Sequence, residues 1–253
     1  MFRPRVIPVL LLKDNGLVKT SKFQTPTYIG DPINAVKIFN DLEADELVFL
    51  DIDASQQNRT IPLRLVKQIG DEAYMPFSVG GGIKSVEQIR RIIENGAEKI
   101  VLNTNAIENP ELVGLASEIC GSQSIIVSID VKKIEDMAYE VYTYGGTKST
   151  GLDPVTVALM MQRLGAGEIL INSIDRDGTK MGYDIDLVAS ISSVVRIPVI
   201  AMGGAGSLND FLKAVKDGGA SAVGAGTLFV FIGKKNAVLI NYPEKAELEE
   251  TFR

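Results

Sequence analysis

Short runs of valine, isoleucine and leucine recur along this chain, and between them apolar residues return at the spacing of one helix face. Apolar runs without polar alternation mark strands buried on both sides, as in a parallel sheet, and helical spacing between them marks crossover helices. Eight such runs stand at 6–12, 47–51, 76–79, 99–103, 124–130, 168–172, 198–201 and 222–224. Helices are predicted between them, most clearly at 32–42, 85–95 and 207–217, with Ser85 and Ser207 at N-cap positions and Gly96 and Gly218 where the periodic stretches stop. Eight alternations in 253 residues predict an α/β fold, a (β/α)8 TIM barrel occupying 1–253 as a single domain. An open dinucleotide-binding sheet would carry G-x-G-x-x-G after its first strand, and that pattern is absent there.

The chain also repeats itself. Residues 46–53 (ELVFLDID) match 168–175 (EILINSID), and 75–101 match 197–223, both at an offset of 122. Gly81 and Gly82 fall on Gly203 and Gly204, so the barrel is predicted to be a twofold half-barrel repeat. A glycine turn that leads into a helix start exposes backbone N–H groups and lets an anion approach closely. The alternative is a pair of tight turns that need glycine for backbone geometry alone. Each turn is backed by a second strand end of small residues, Asn103-Thr104 in one half and Gly226-Thr227 in the other. Two such turns predict a ligand with two anionic ends.

Composition narrows the chemistry. A net charge of −6 and a pI near 4.9 argue against nucleic acid as a partner. The single cysteine, Cys120, excludes an internal disulfide framework and fits a reducing, cytoplasmic setting. No apolar run is long enough for a membrane span, and the N-terminal one is charged too soon for a signal peptide. Histidine is absent, so acid/base chemistry near neutrality falls to carboxylates, lysines, tyrosines or the cysteine, and a histidine-ligated metal is impossible. Neither cofactor nor metal is expected. Two long segments depart from a plain barrel: 13–31 reads as a polar loop and 132–151 as an inserted hairpin. The last stretch, 233–253, reads as a poor, proline-interrupted helix.

Barrel chemistry sits at the carboxyl ends of the strands. That end is predicted to carry Leu11, Lys13, Asp51, Asp53, Gly81, Gly82, Asn103, Thr104, Asp130, Lys132, Asn172, Asp177, Met202, Gly203, Gly204, Gly226 and Thr227. Asp130 ends the apolar strand SIIVSID, so a desolvated carboxyl fit for general acid/base work is expected there, with a structural loop cap as the alternative. Aligning the halves sets Leu11 opposite Asp130, so a symmetric pair of carboxylates is missing. At the other face Arg5, Glu46, Lys99 and Glu168 stand at strand starts. They are either solvated ends, whose pairing contributes under about 1 kcal/mol each, or an inward ring of salt bridges closing the bottom.

The segments DELVFLDIDAS (45–55), VGGGI (79–83), GAEKIVLNT (96–104), GAGEIL (165–170), SIDRDGTKMGYD (173–184) and GGAG (203–206) resemble, in order, those of the cyclase subunit of imidazole glycerol phosphate synthase. That subunit is the synthase half of a glutamine amidotransferase in histidine biosynthesis, and the resemblance runs from residue 5 to about 231. It implies a glutaminase docked on the bottom of the barrel. Ammonia would then pass a charged gate, here Arg5, Glu46, Lys99 and Glu168, and travel to a bisphosphorylated substrate at the top. It also implies substrate contact by Lys19 and phosphate contact by Gly82, Asn103 and Thr104 in one half, and by Asp177, Gly178, Gly203, Gly204, Gly226 and Thr227 in the other. The family's two catalytic aspartates are reduced to Asp130, because Leu11 stands in place of the other; Asn172 replaces a threonine and Met202 a serine. These departures resemble a paralogous branch that accompanies surface-polysaccharide genes. That likeness implies ammonia delivery to a separate sugar amidotransferase that converts an acetamido into an acetamidino sugar. An authentic cyclase remains one alternative. A non-catalytic scaffold that binds a phosphorylated ligand and regulates the glutaminase is another.

Overall fold

The computed structural model describes residues 3–135, 138–233 and 236–253. Eight parallel strands close into a barrel: β1 (Arg5–Lys13), β2 (Leu47–Asp51), β3 (Phe77–Gly80), β4 (Lys99–Leu102), β5 (Ile125–Glu135), β6 (Glu168–Ser173), β7 (Val199–Met202) and β8 (Ala222–Ala225). Closure is made where β8 pairs with β1, Arg5 opposite Ala222 through Pro8 opposite Ala225, while the other edge of β1 pairs with β2 from Val9 opposite Val48. β4 and β5 make the other joint between the two halves, Ile100 opposite Ile125 through Leu102 opposite Val127, and within the second half β5 and β6 pair from Glu168 opposite Ile126 through Ser173 opposite Val131.

The predicted helices form at Pro32–Asp41, Val86–Glu94 and Leu208–Lys216. Ser85 caps the second of these by accepting from the Gln88 N–H, and Ser207 forms a capping box with Asp210. At the end of the third helix the left-handed residue is Gly219, one later than expected. Gly218 is required for a different reason: a Cβ there would lie 2.6 Å from the Ala214 carbonyl oxygen.

Strand periodicity of two separates two cores. Val6, Leu10 and Leu12 of β1 pack outward with Phe39, Phe49 and Phe211 under the helices. Ile7 and Val9 point into the bore with Val48, Val101, Ile126, Leu170, Ile200 and Met202. The inward series on β1 therefore runs Arg5, Ile7, Val9, Leu11, from charged bottom through apolar bore to the mouth.

Residues 13–31 are not a loop. Gly16–Ser21 pairs antiparallel with β1 and with Gln24–Gly30. The first turn holds Asp14 and Asn15 at φ 49° and 64°, the double left-handed geometry of a two-residue hairpin, and asparagine and aspartate tolerate it. Within 132–151, β5 pairs antiparallel with Ala138–Thr143, which pairs with Lys148–Ser149, in line with the expected insertion. Near the C-terminus a short hairpin, Phe231–Ile232 with Ala237–Val238, precedes a helix at Lys245–Thr251. The Tyr242 hydroxyl donates to the Val6 carbonyl at 2.8 Å and ties this tail to the start of β1.

Candidate functional site

The carboxyl ends of the strands open into a cavity with about 190 Å³ accessible to water. Asp51, Gly81, Gly82, Asn103, Thr104, Asp130, Asn172 and Asp177 all line it, as does Leu11. Asp130 is 7% exposed and accepts from Asn103 Nδ2 at 3.1 Å. Burial pushes its carboxyl up to about 7 and the negative charge of Asp177 adds to the rise, while the Asn103 hydrogen bond opposes it. A group with that pKa can give or take a proton near neutrality. Leu11, 5% exposed, offers no partner for such work.

Both glycine turns hold their residues at positive φ. Gly81 and Gly82 have φ of 133° and 63°, and Gly203 and Gly204 have 88° and 111°. Packing adds a second demand, since a Cβ on Gly82 would lie 1.8 Å from the Arg59 carbonyl oxygen and one on Gly204 2.3 Å from that of Gly182. Beside the first turn, the Thr104 hydroxyl accepts from the Tyr144 N–H at 3.1 Å. The Asp51 carboxylate there is clamped by the Arg59 guanidinium, with Nη2 to Oδ1 at 3.0 Å. Arg59 carries no signal in the sequence, because it lies in a stretch without periodicity between β2 and its following helix. Lys13 pairs with Asp53 at 2.8 Å on the rim.

Gly178, Gly203, Gly204, Gly226 and Thr227, with Asp177 and Met202, enclose a separate pocket of about 10 Å³. Lys19 lies on the Gly16–Ser21 strand rather than in a loop, and is 3% exposed. Burial lowers its pKa, opposed by the charge of Asp177, whose own carboxyl is raised by burial. Among the described residues Asn172 Oδ1, Asp177 Oδ2 and Thr20 Oγ1 are buried without hydrogen-bond partners, so polar oxygens stay unsatisfied on this side of the mouth.

At the opposite end of the bore, Arg5, Glu46, Lys99 and Glu168 form a closed ring. Arg5 binds Glu46 with one nitrogen and Glu168 with the other, the latter at 2.5 Å. Lys99 reaches Glu168 at 2.6 Å and Glu46 at 3.4 Å. Ser78 donates a further hydrogen bond to Glu46 at 3.0 Å. The glutamates are 2% and 7% exposed, so these are inward, mutually satisfied charges and not solvated strand ends.

Among the described residues no cluster of histidine, cysteine, aspartate or glutamate is arranged to hold a metal, and no helix is long and apolar enough to cross a membrane. The sequence pattern of the family described as "Histidine biosynthesis protein" matches residues 5–234. The chain is 48% identical, over the whole length of both proteins, to "Putative imidazole glycerol phosphate synthase subunit HisF" of Leptospira borgpetersenii. It is 47% identical to the subunit named hisF2 of Pseudomonas aeruginosa, over 98% of this chain and 99% of that one. "Imidazole glycerol phosphate synthase subunit HisF" of Thermococcus onnurineus is 49% identical over 89% of each.

Proposed function

This chain belongs to the histidine biosynthesis protein family as a HisF-like relative of the cyclase subunit of imidazole glycerol phosphate synthase, and on that premise we propose that it is the barrel subunit of a glutamine amidotransferase that conducts ammonia while the family's cyclisation has lapsed. A glutaminase would dock on the face that bears the charged ring, and ammonia released there would enter between Lys99 and its two glutamates. Lys99 is the natural moving part, a single ammonium on a flexible stem held to Glu168 at 2.6 Å and more loosely to Glu46. Beyond the ring the bore is lined by Ile7, Val9, Val48, Val101, Leu170 and Ile200. An apolar passage of this kind carries neutral ammonia and rejects ammonium, since an unpaired ion in an apolar interior is costly.

The observation that carries the reading is the contrast between a complete ring at the entrance and Leu11 at the exit. Removing one member of an acid/base pair costs about 10²- to 10⁴-fold in rate, so delivery would persist where ring closure does not. The released ammonia would then serve a separate sugar amidotransferase acting on an acetamido sugar in surface-polysaccharide assembly. One observation favours a second reading, an authentic cyclase: the Asp130 carboxyl at about 7 is poised for proton transfer on its own.

Two measurements separate them. Given ammonium salt and the bisphosphorylated ribulosyl aminoimidazole substrate, the purified chain is expected to form little imidazole glycerol phosphate; turnover at the family's usual rate would sink the conduction-only reading. In the complex with its glutaminase, Lys99→Ala is expected to uncouple glutamine hydrolysis from amination of the acceptor, and unchanged coupling would remove the channel.

A further inference from the structure

Ammonia that escapes from the mouth into water near neutrality takes up a proton and stops being a nucleophile, so an enzyme that uses it has to sit over the exit. Resting on the conduction reading above, we propose that the ammonia-consuming enzyme docks on the second-half rim of the mouth. There the C-terminal hairpin and the loop 174–184 form a cationic surface with an apolar centre, and the fitting partner face is acidic around apolar side chains.

The apolar centre begins with the hairpin Phe231–Ile232 with Ala237–Val238. Cross-strand partners share a face. Phe231, opposite Val238, packs against the barrel core, so Ile232 and Ala237 face away from it. Leu239, two positions on, follows Ala237 on the outer side. Ile232 and Leu239 are 49% and 54% exposed, and Met181 on the neighbouring loop is 74% exposed. The Lys180 ammonium donates to Asn236 Oδ1 at 3.1 Å and joins loop to hairpin. The Leu239 N–H donates to the Val230 carbonyl at 3.0 Å and the Asn241 N–H to that of Phe229 at 2.9 Å, so the outer segment is fixed in place. A held group of exposed apolar side chains marks an interaction surface. Ala237 and Leu239 lie past residue 234, where the matched family pattern ends, so this surface is no part of the shared barrel.

Lys22, Lys133, Arg176 and Lys180 surround the same loop. The Lys22 N–H donates to the Asp177 carbonyl and the Lys133 N–H to Asp175 Oδ2, both at 2.9 Å. Among the described residues none of these four cations has a carboxylate in salt-bridge contact. The loop's own carboxylates are engaged elsewhere: Asp175 accepts from the Lys133 backbone, Asp177 is buried, and Asp184 accepts from the Tyr139 hydroxyl at 2.9 Å while capping the next helix. On the first-half rim, by contrast, Lys13, Arg59 and Lys148 are each paired, with Asp53, Asp51 and Glu108. A cluster of unpaired cations on a chain of net charge −6 is complementary to an acidic partner. A second copy docking through the same surface would set these cations against themselves.

The test is calorimetric titration of the full chain, in complex with its glutaminase, with the sugar amidotransferase that uses the ammonia, at about 0.05 M and about 0.5 M salt. Thermal unfolding checks the variants. Binding is expected to weaken at the higher salt. The pair Lys22→Glu and Lys133→Glu should weaken it about tenfold or more at the lower salt and remove most of the salt dependence. The pair Ile232→Ser and Leu239→Ser should weaken it about tenfold or more at both. Glutamine-driven amination should fall with binding, while amination from added ammonium salt stays unchanged. No binding by the unaltered chain, or unchanged binding by either pair, would overturn the inference. So would lost coupling with binding intact, which assigns the cations to a small anionic ligand, or sedimentation showing that the variants break a self-association instead. Should a variant fail to fold, the unaltered chain decides, because an affinity indifferent to salt also overturns it. Conduction is read separately by coupling in the Lys99→Ala complex, so either idea can fail without the other.

Discussion

The two ends of the bore hold similar charged groups under opposite conditions. At the bottom, two cations and two carboxylates satisfy one another, and Glu46 alone contacts Arg5, Lys99 and Ser78. At the top, Asp130 is as buried as Glu168, yet it has neither a cation in contact nor a carboxylate partner across the repeat. Burial with partners keeps a charge in place, and burial without them moves the pKa. The lower ring is held in order by its own ion pairs, whereas the upper carboxyl is held where its proton can come and go.

The sharpest way to break this contrast is to remove one carboxylate from each end. Glu46→Ala should cost about 5 kcal/mol in urea denaturation, since it leaves Arg5 and Lys99 to share one remaining anion. Asp130→Asn should act in the other direction above neutrality. The native carboxyl keeps its proton up to about 7, while the unfolded one loses it near 4. Across that window the native state holds more protons, so the contribution of Asp130 to stability falls as pH rises and the full penalty is reached above it. At pH 8 the asparagine variant should exceed the parent by up to roughly 4 kcal/mol, and the gap should shrink toward pH 4. A pH-independent difference would mean that Asp130 is not buried as a proton-binding group.

Restoring the absent partner is the next test. Leu11→Asp should raise cyclisation from ammonium salt by about 100-fold or more, measured by formation of imidazole glycerol phosphate. No gain would place the loss of chemistry elsewhere, with Asn172 and Met202 the next positions to examine. The smallest effect belongs to the tail. Tyr242→Phe removes the hydrogen bond to Val6 and should lower stability by about 1 kcal/mol, with the salt bridges of the ring unaltered.

The strands were legible because each is an uninterrupted apolar run, and the errors at their edges have local causes. Pro76 and Pro198 have no N–H to give a ladder, so β3 begins at Phe77 and β7 at Val199. Asn103 leaves β4 to stand before the short helix Thr104–Glu108. The hairpin at 16–30 was hidden by its polar content: the buried run Leu17, Val18, Lys19, Thr20 includes a lysine and a threonine, and the signal that remained was Asp14-Asn15 in the turn. Sequence symmetry reads backbone chemistry, which both turns share, but it cannot read that Lys19, from a strand near the start of the chain, lies against Gly226 beside one of them. Arg59 is missing from the sequence reading for a similar reason, since its grip on Asp51 depends on how an aperiodic segment folds back over Gly82.

The ring has one more consequence, which concerns assembly. The repeat makes the halves look interchangeable, yet Arg5, Glu46 and Lys99 all come from the first and Glu168 alone from the second, where serines at 124 and 221 stand at the sites of the two cations. Two first halves brought together would crowd four cations around two anions, and two second halves would face glutamate against glutamate. Each half is thus a poor mate for its own copy and a good one for the other. The electrostatic seam at the bottom of the barrel gives the duplicated pieces distinct identities and favours their pairing with each other over pairing with their own copies.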